Sequence, residues 1–102
     1  MRQIIERTQQ VAYDYLKAFG FEEDKVTNIV NKGVKELEKS FAKLQGLVSD
    51  REFDIDELDN VLHSIKGILF QLGNSKDGEL VDELRDTVDH SNAIEKIEDF
   101  IK

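Results

Sequence analysis

The chain of 102 residues contains no cysteine, which excludes a disulfide framework, a thiolate zinc site and a cysteine nucleophile. Such a chain suits a reducing compartment. Proline is also absent. Because proline breaks helices and punctuates loops, its absence points to long helices joined by short turns. Positive charge is in deficit: 22 Asp and Glu stand against 14 Lys and Arg, a formal net charge of −8. Phosphates would be repelled overall, so neither nucleic acid nor an anionic membrane is an expected partner. No apolar run exceeds three residues, Ile68-Leu69-Phe70 being one. That is far too short for a membrane span, and no signal-peptide pattern is evident. A soluble cytoplasmic domain is expected. A single domain over 1–102 is long enough to bury a core without staples.

Apolar residues recur in steps of three and four, never in strict alternation, so the chain reads as all-α. Ile4, Ile5, Thr8, Val11, Ala12, Tyr15, Leu16 and Phe19 form one stripe on a helix over about 2–19. Gly20 then supplies a left-handed cap. A second helix is expected from about Glu22 to Val48, with Gly33 beside its stripe at a close helix contact. The stretch 49–53 reads as a turn. Asp54 is the expected N-cap, with Glu57 three residues later, of a third helix from Ile55 to Leu72 that Gly73 ends. Two shorter helices follow, over about Glu79–Val88 and Ser91–Ile101. The expected architecture is an antiparallel four-helix bundle over about 22–101 with an accessory N-terminal helix.

The third helix is informative on the side it does not bury. At about 100° per residue, Asp56, Asp59, Asn60, Lys66, Gly67 and Phe70 all fall within roughly 60° of His63, opposite the apolar face. Glycine in a helix interior costs about 1 kcal/mol relative to alanine. Its place one turn beyond an outward histidine suggests that something large must approach the imidazole. Phe70 on the same face is an exposed apolar group of the kind that marks a contact surface. An exposed imidazole can accept a phosphoryl group on a ring nitrogen, with the Lys66 ammonium offsetting the added charge.

The spelling Leu62-His63-Ser64-Ile65-Lys66-Gly67, with Gly73 ten residues after the histidine, resembles the histidine-containing phosphotransfer (HPt) family and its H-x-x-K-G signature. The acidic lead-in Asp54-Ile55-Asp56-Glu57-Leu58 is similar as well. The resemblance implies a phosphorelay intermediate. His63 would accept a phosphoryl group from a sensor kinase or a response-regulator receiver aspartate and pass it on. Lys66 would neutralise phosphate, Gly67 would give clearance, and Asp59, Asn60 and Phe70 would help a partner dock. It also implies a monomeric phosphocarrier with no cofactor of its own, the Mg2+ belonging to the receiver. An acidic side chain on the fourth helix is expected to orient the ring. Met1 at the start is compatible with a freestanding domain.

Two features depart from the pattern. Bulky Ile68, Leu69 and Phe70 follow the Lys66-Gly67 pair where small residues are usual, and Asp77 stands where an early leucine is expected. The alternative from another class is an HPt-like interaction module that binds a receiver or kinase without accepting phosphate. Neither G-x-x-x-x-G-K-[ST] nor G-x-G-x-x-G occurs, and no kinase ATP-binding domain fits this length. Ser64 after the histidine and the lack of proline argue against a sensor-kinase dimerisation domain. The spacing Asp50, Glu52, Asp54, Asp56 has a calcium-loop look, but Ile55 and Val61 stand where glycine and the bidentate glutamate belong. His90 reads as a loop or capping residue. Lys32, Lys35, Lys39 and Lys43 read as a solvated face.

Overall fold

The computed structural model describes residues 2–49 and 53–101. Five α-helices account for most of them: α1 Arg2–Ala18, α2 Glu23–Ser49, α3 Ile55–Gln71, α4 Ser75–Thr87 and α5 Ala93–Ile101. Among the described residues there is no strand, and the all-α reading holds. The expected turn at 49–53 falls mostly outside them, at Asp50, Arg51 and Glu52.

Helix α2 is the spine. Its 27 residues span about 40 Å at 1.5 Å per residue, and it contacts α1, α3 and α5, while α3 also contacts α4. Two apolar clusters lie along it. Towards its N-terminal end, Val26, Val30 and Val34 meet Ala12 and Leu16 of α1, with Leu72 closing the group. Towards its C-terminal end, Leu37, Phe41, Leu44 and Val48 meet Leu58, Leu62, Ile65 and Leu69 of α3, Val81 of α4 and Ile97 of α5. Burying an aliphatic side chain fully contributes about 1.5–3 kcal/mol. The four fully buried aliphatics of α3 therefore fix which way that helix faces.

Glycines mark the close approaches and tight ends. Gly20 and Gly73 both have positive φ, 86° and 81°, the conformation that only glycine adopts cheaply. At the end of α3, Gly73 N–H donates to Phe70 C=O (3.1 Å) and Asn74 N–H to Leu69 C=O (2.8 Å), the pair of bonds of a Schellman cap. The Tyr15 ring of α1 occupies the space a Cβ on Gly73 would need. Gly33 is the expected close contact: a Cβ there would lie 2.8 Å from Leu72 Cδ1.

The structure corrects the sequence reading in three places. First, α4 begins at Ser75, four residues before the expected Glu79. Asn74 caps it, its Oδ1 accepting from Asp77 N–H (3.3 Å), while its Nδ2 donates to Thr8 Oγ1 and Asp77 Oδ2, both at 2.8 Å. Asp77 is buried at the position of the missing leucine, and Arg7 of α1 satisfies it with two hydrogen bonds. Burial pushes the Asp77 carboxyl upward. The hydrogen bonds from Arg7 and Asn74, with the charges of Arg7 and Lys76, outweigh it and hold the group below its ordinary value. Second, α5 starts at Ala93, not Ser91. Asp89 Oδ1 accepts from the Ser91 and Asn92 N–H groups and forms the turn before it. Third, Val11, Tyr15 and Phe19, assigned to the first apolar stripe, are exposed, as is Leu80 of α4. The α1 stripe is wider than the strip α2 covers, so only Ile4, Thr8, Ala12 and Leu16 are buried.

Candidate functional site

Asp54 caps α3 as expected, its carboxylate accepting from Asp56 N–H at 2.9 Å. The inner face of the helix is held by Leu58, Leu62, Ile65 and Leu69, so His63, between Leu62 and Ile65 in sequence, projects to solvent. Gly67, one turn further on, is exposed, and a Cβ placed there meets nothing within 4 Å. Packing within the chain therefore gives no reason for a glycine. Gly46 on α2 is equally open; what distinguishes Gly67 is its place one turn after His63.

Helix α4 supplies the other wall, through residues that the sequence does not single out. Arg85 forks the Asp59 carboxylate, Nε to Oδ1 at 2.9 Å and Nη2 to Oδ2 at 3.2 Å. Its remaining nitrogen, Nη1, lies 3.1 Å from His63 Nδ1. The side chain that orients the ring from the fourth helix is thus basic, where an acidic one was expected. Hydrogen bonding from Arg85, aided by its charge and by His63, outweighs burial and holds the Asp59 carboxyl below its ordinary value. The same pairing raises the guanidinium above its own.

Lys66 also reaches α4, its Nζ donating to Asp82 Oδ1 at 3.0 Å, while Arg85 Nη1 lies 3.9 Å from the same oxygen. Two acids and two bases thus alternate around His63 and balance in formal charge. An ion pair as exposed as Lys66–Asp82 contributes at most about 1 kcal/mol. A phosphoryl group, carrying about −1.5 to −2 charge, can compete for both cations.

The docking residues separate. Asn60 turns to the α2 side, where it lines a shallow polar recess with Ser40, Lys43, Glu57 and Ser64. Asp59 is committed to Arg85. Phe70 does have a home within the chain: its ring packs on Gly78, whose Cβ would lie 3.0 Å from Phe70 Cε2. It remains 37% exposed, so it is a partly covered edge and not a free-standing patch. His90 sits in the α4–α5 turn and stacks on Phe53, with ring centroids 5.4 Å apart. Among the described residues, no group of three or more His, Asp or Glu is placed to hold a metal ion.

Arg85 and Asp82 carry no distinctive spacing in the sequence. Their importance depends on how α4 is rotated against α3, which local periodicity does not encode. No helix among the described residues is long and apolar enough to cross a membrane. Comparison with protein-family models, with characterised proteins and with solved structures gave no match.

Proposed function

We propose that the chain is an HPt-like phosphorelay intermediate, in which α2–α5 form the four-helix bundle and α1 is an accessory helix. His63 exchanges a phosphoryl group with the aspartate of a response-regulator receiver domain. In the accepting direction a ring nitrogen lone pair attacks phosphorus, and the bond from phosphorus to the carboxylate oxygen breaks. The carboxylate leaves with the electron pair. The observation that carries this reading is an exposed mid-helix imidazole with an open glycine one turn beyond it, Arg85 against its ring and Lys66 one turn on along the same helix.

The test is incubation with phosphorylated receiver domains. The expected product is an acid-labile, base-stable label on this chain that is absent from His63→Gln. A survey of receivers that yields no such label removes the proposal.

A second reading, a binding module that takes no phosphate, draws support from the polar groups around His63 being paired with one another. Under it, His63→Ala leaves receiver affinity nearly intact and Phe70→Ala weakens it.

A further inference from the structure

We infer that Arg85 is a positioning residue that holds resting His63 with its one neutral-ring lone pair covered, and that phosphoryl acceptance begins with the departure of Arg85 from Nδ1. This inference rests on the reading of His63 as phosphoacceptor and adds a resting-state brake to it.

A guanidinium only donates hydrogen bonds and stays protonated at all ordinary pH values. A neutral imidazole has one nitrogen that donates and one that accepts. With Arg85 Nη1 3.1 Å from Nδ1, Nδ1 must be the accepting nitrogen and the ring proton resides on Nε2. The single lone pair able to attack phosphorus is therefore directed at a cation. The nitrogen that Arg85 does not contact carries a proton and cannot act as a nucleophile.

Arg85 is aimed at this position. Its other two nitrogens are fixed by both oxygens of Asp59, a bidentate arrangement with little rotational freedom. Asp59 lies one helical turn before His63 on α3, so the clamp and the ring are carried by the same rigid element. Only 23% of the Arg85 side chain is exposed, which further restricts it.

For Nε2 to attack, Arg85 must leave Nδ1. Water then delivers a proton to Nδ1 while Nε2 loses one, with no net change in protons. The Nε2 lone pair next forms the bond to phosphorus as the bond to the leaving group breaks. An arriving phosphoryl group supplies negative charge that competes with Asp59 for the guanidinium, so the donor itself favours release.

The experiment uses the full chain with 15N-labelled histidine and needs no partner protein. Two-bond 1H–15N spectra at a pH where the ring is neutral read the tautomer, and His63→Gln distinguishes the His63 signals from those of His90. The chemical probe is phosphoramidate, a small donor from which ammonia leaves with the electron pair as the bond from phosphorus to the ring forms. The wild type should show His63 as the Nε2–H tautomer. In Arg85→Met, the freed Asp59 carboxylate becomes available to an Nδ1–H donor, so the Nδ1–H fraction should rise. Phosphorylation by phosphoramidate should accelerate about fivefold, the change expected from releasing one partly exposed charge-assisted contact. Asp59→Asn, which removes the anchor of Arg85 but offers no carboxylate to an Nδ1–H donor, should accelerate phosphorylation to a smaller extent.

Mixed tautomers in the wild type, an unchanged tautomer in Arg85→Met, or a phosphoramidate rate that is unchanged or lower in that variant each overturn the inference. Failure of the relay reading is separable from it. A chain that reacts with phosphoramidate as described but accepts nothing from any receiver keeps the brake and loses the relay.

Discussion

Arg7 on α1 holds the Asp77 carboxylate at the start of α4 across 70 positions of sequence, Nε to Oδ2 and Nη2 to Oδ1, both at 3.0 Å. Only 7% of the Asp77 side chain is exposed, against 51% for Arg7. Arg7→Ala would leave a buried carboxylate with Asn74 as its remaining side-chain donor. The expected loss is about 1–3 kcal/mol of unfolding free energy, measured by urea denaturation at neutral pH. A loss below a few tenths would mean that water replaces Arg7 at no cost.

The same carboxylate sets a pH dependence. The folded-state pKa of Asp77 is depressed, so its contribution is fully present above the unfolded value of about 3.9. It is lost as pH falls through the lower folded value. Wild-type stability should therefore decline in that acid range, and Asp77→Asn should flatten this part of the curve. Urea midpoints measured across the acid range decide it; identical pH profiles for the two proteins would contradict the role given to Asp77.

Gly73→Ala should destabilise by more than about 1 kcal/mol, because a left-handed φ is imposed on alanine and its Cβ collides with the Tyr15 ring. Thermal unfolding reads the loss. A normal midpoint would require the contact of Tyr15 with Gly73 to be far softer than its geometry.

Gly67 should behave in the opposite way. With open space around its missing side chain, Gly67→Ala should raise stability by up to about 1 kcal/mol through helix propensity alone. Under the proposed function, Gly67→Leu should fold normally yet impair receiver binding, as titration with a receiver domain would show. Unimpaired binding would remove clearance as the reason for this glycine.

Lys66→Ala breaks only a partly exposed pair with Asp82, so stability should change by less than about 1 kcal/mol. Under the proposed function, phosphoryl transfer to His63 should slow, or the phosphorylated form should be shorter-lived. Wild-type rates and lifetime together would contradict the role of neutraliser.

Most of the helical framework was legible in the chain. Periodicity placed α1, α2 and α3 to within a residue or two, and Gly20, Gly73 and Asp54 marked their ends by local backbone chemistry. The outward turn of His63 followed from the four apolar positions behind it. The start of α4 was hidden because Asp77 satisfies its charge through Arg7, a partner remote in sequence. Without that partner an acid at an inward position reads as loop. Arg85 was hidden for a related reason, since its two targets lie on another helix and are chosen by the rotation of α4. Phe70 appeared unpartnered because Gly78, which receives its ring, lay in the stretch assigned to a loop.

The long second helix also governs how the molecule assembles. Its contacts with α1 and α3, and the contact of α3 with α4, join neighbours along the chain, whereas its contact with α5 does not. Structure built mainly from such neighbouring pairs has low contact order and forms rapidly. Two less local closures remain, the seating of Ile97 and Phe100 against Phe41 and its surroundings and the tie of Arg7 to Asp77.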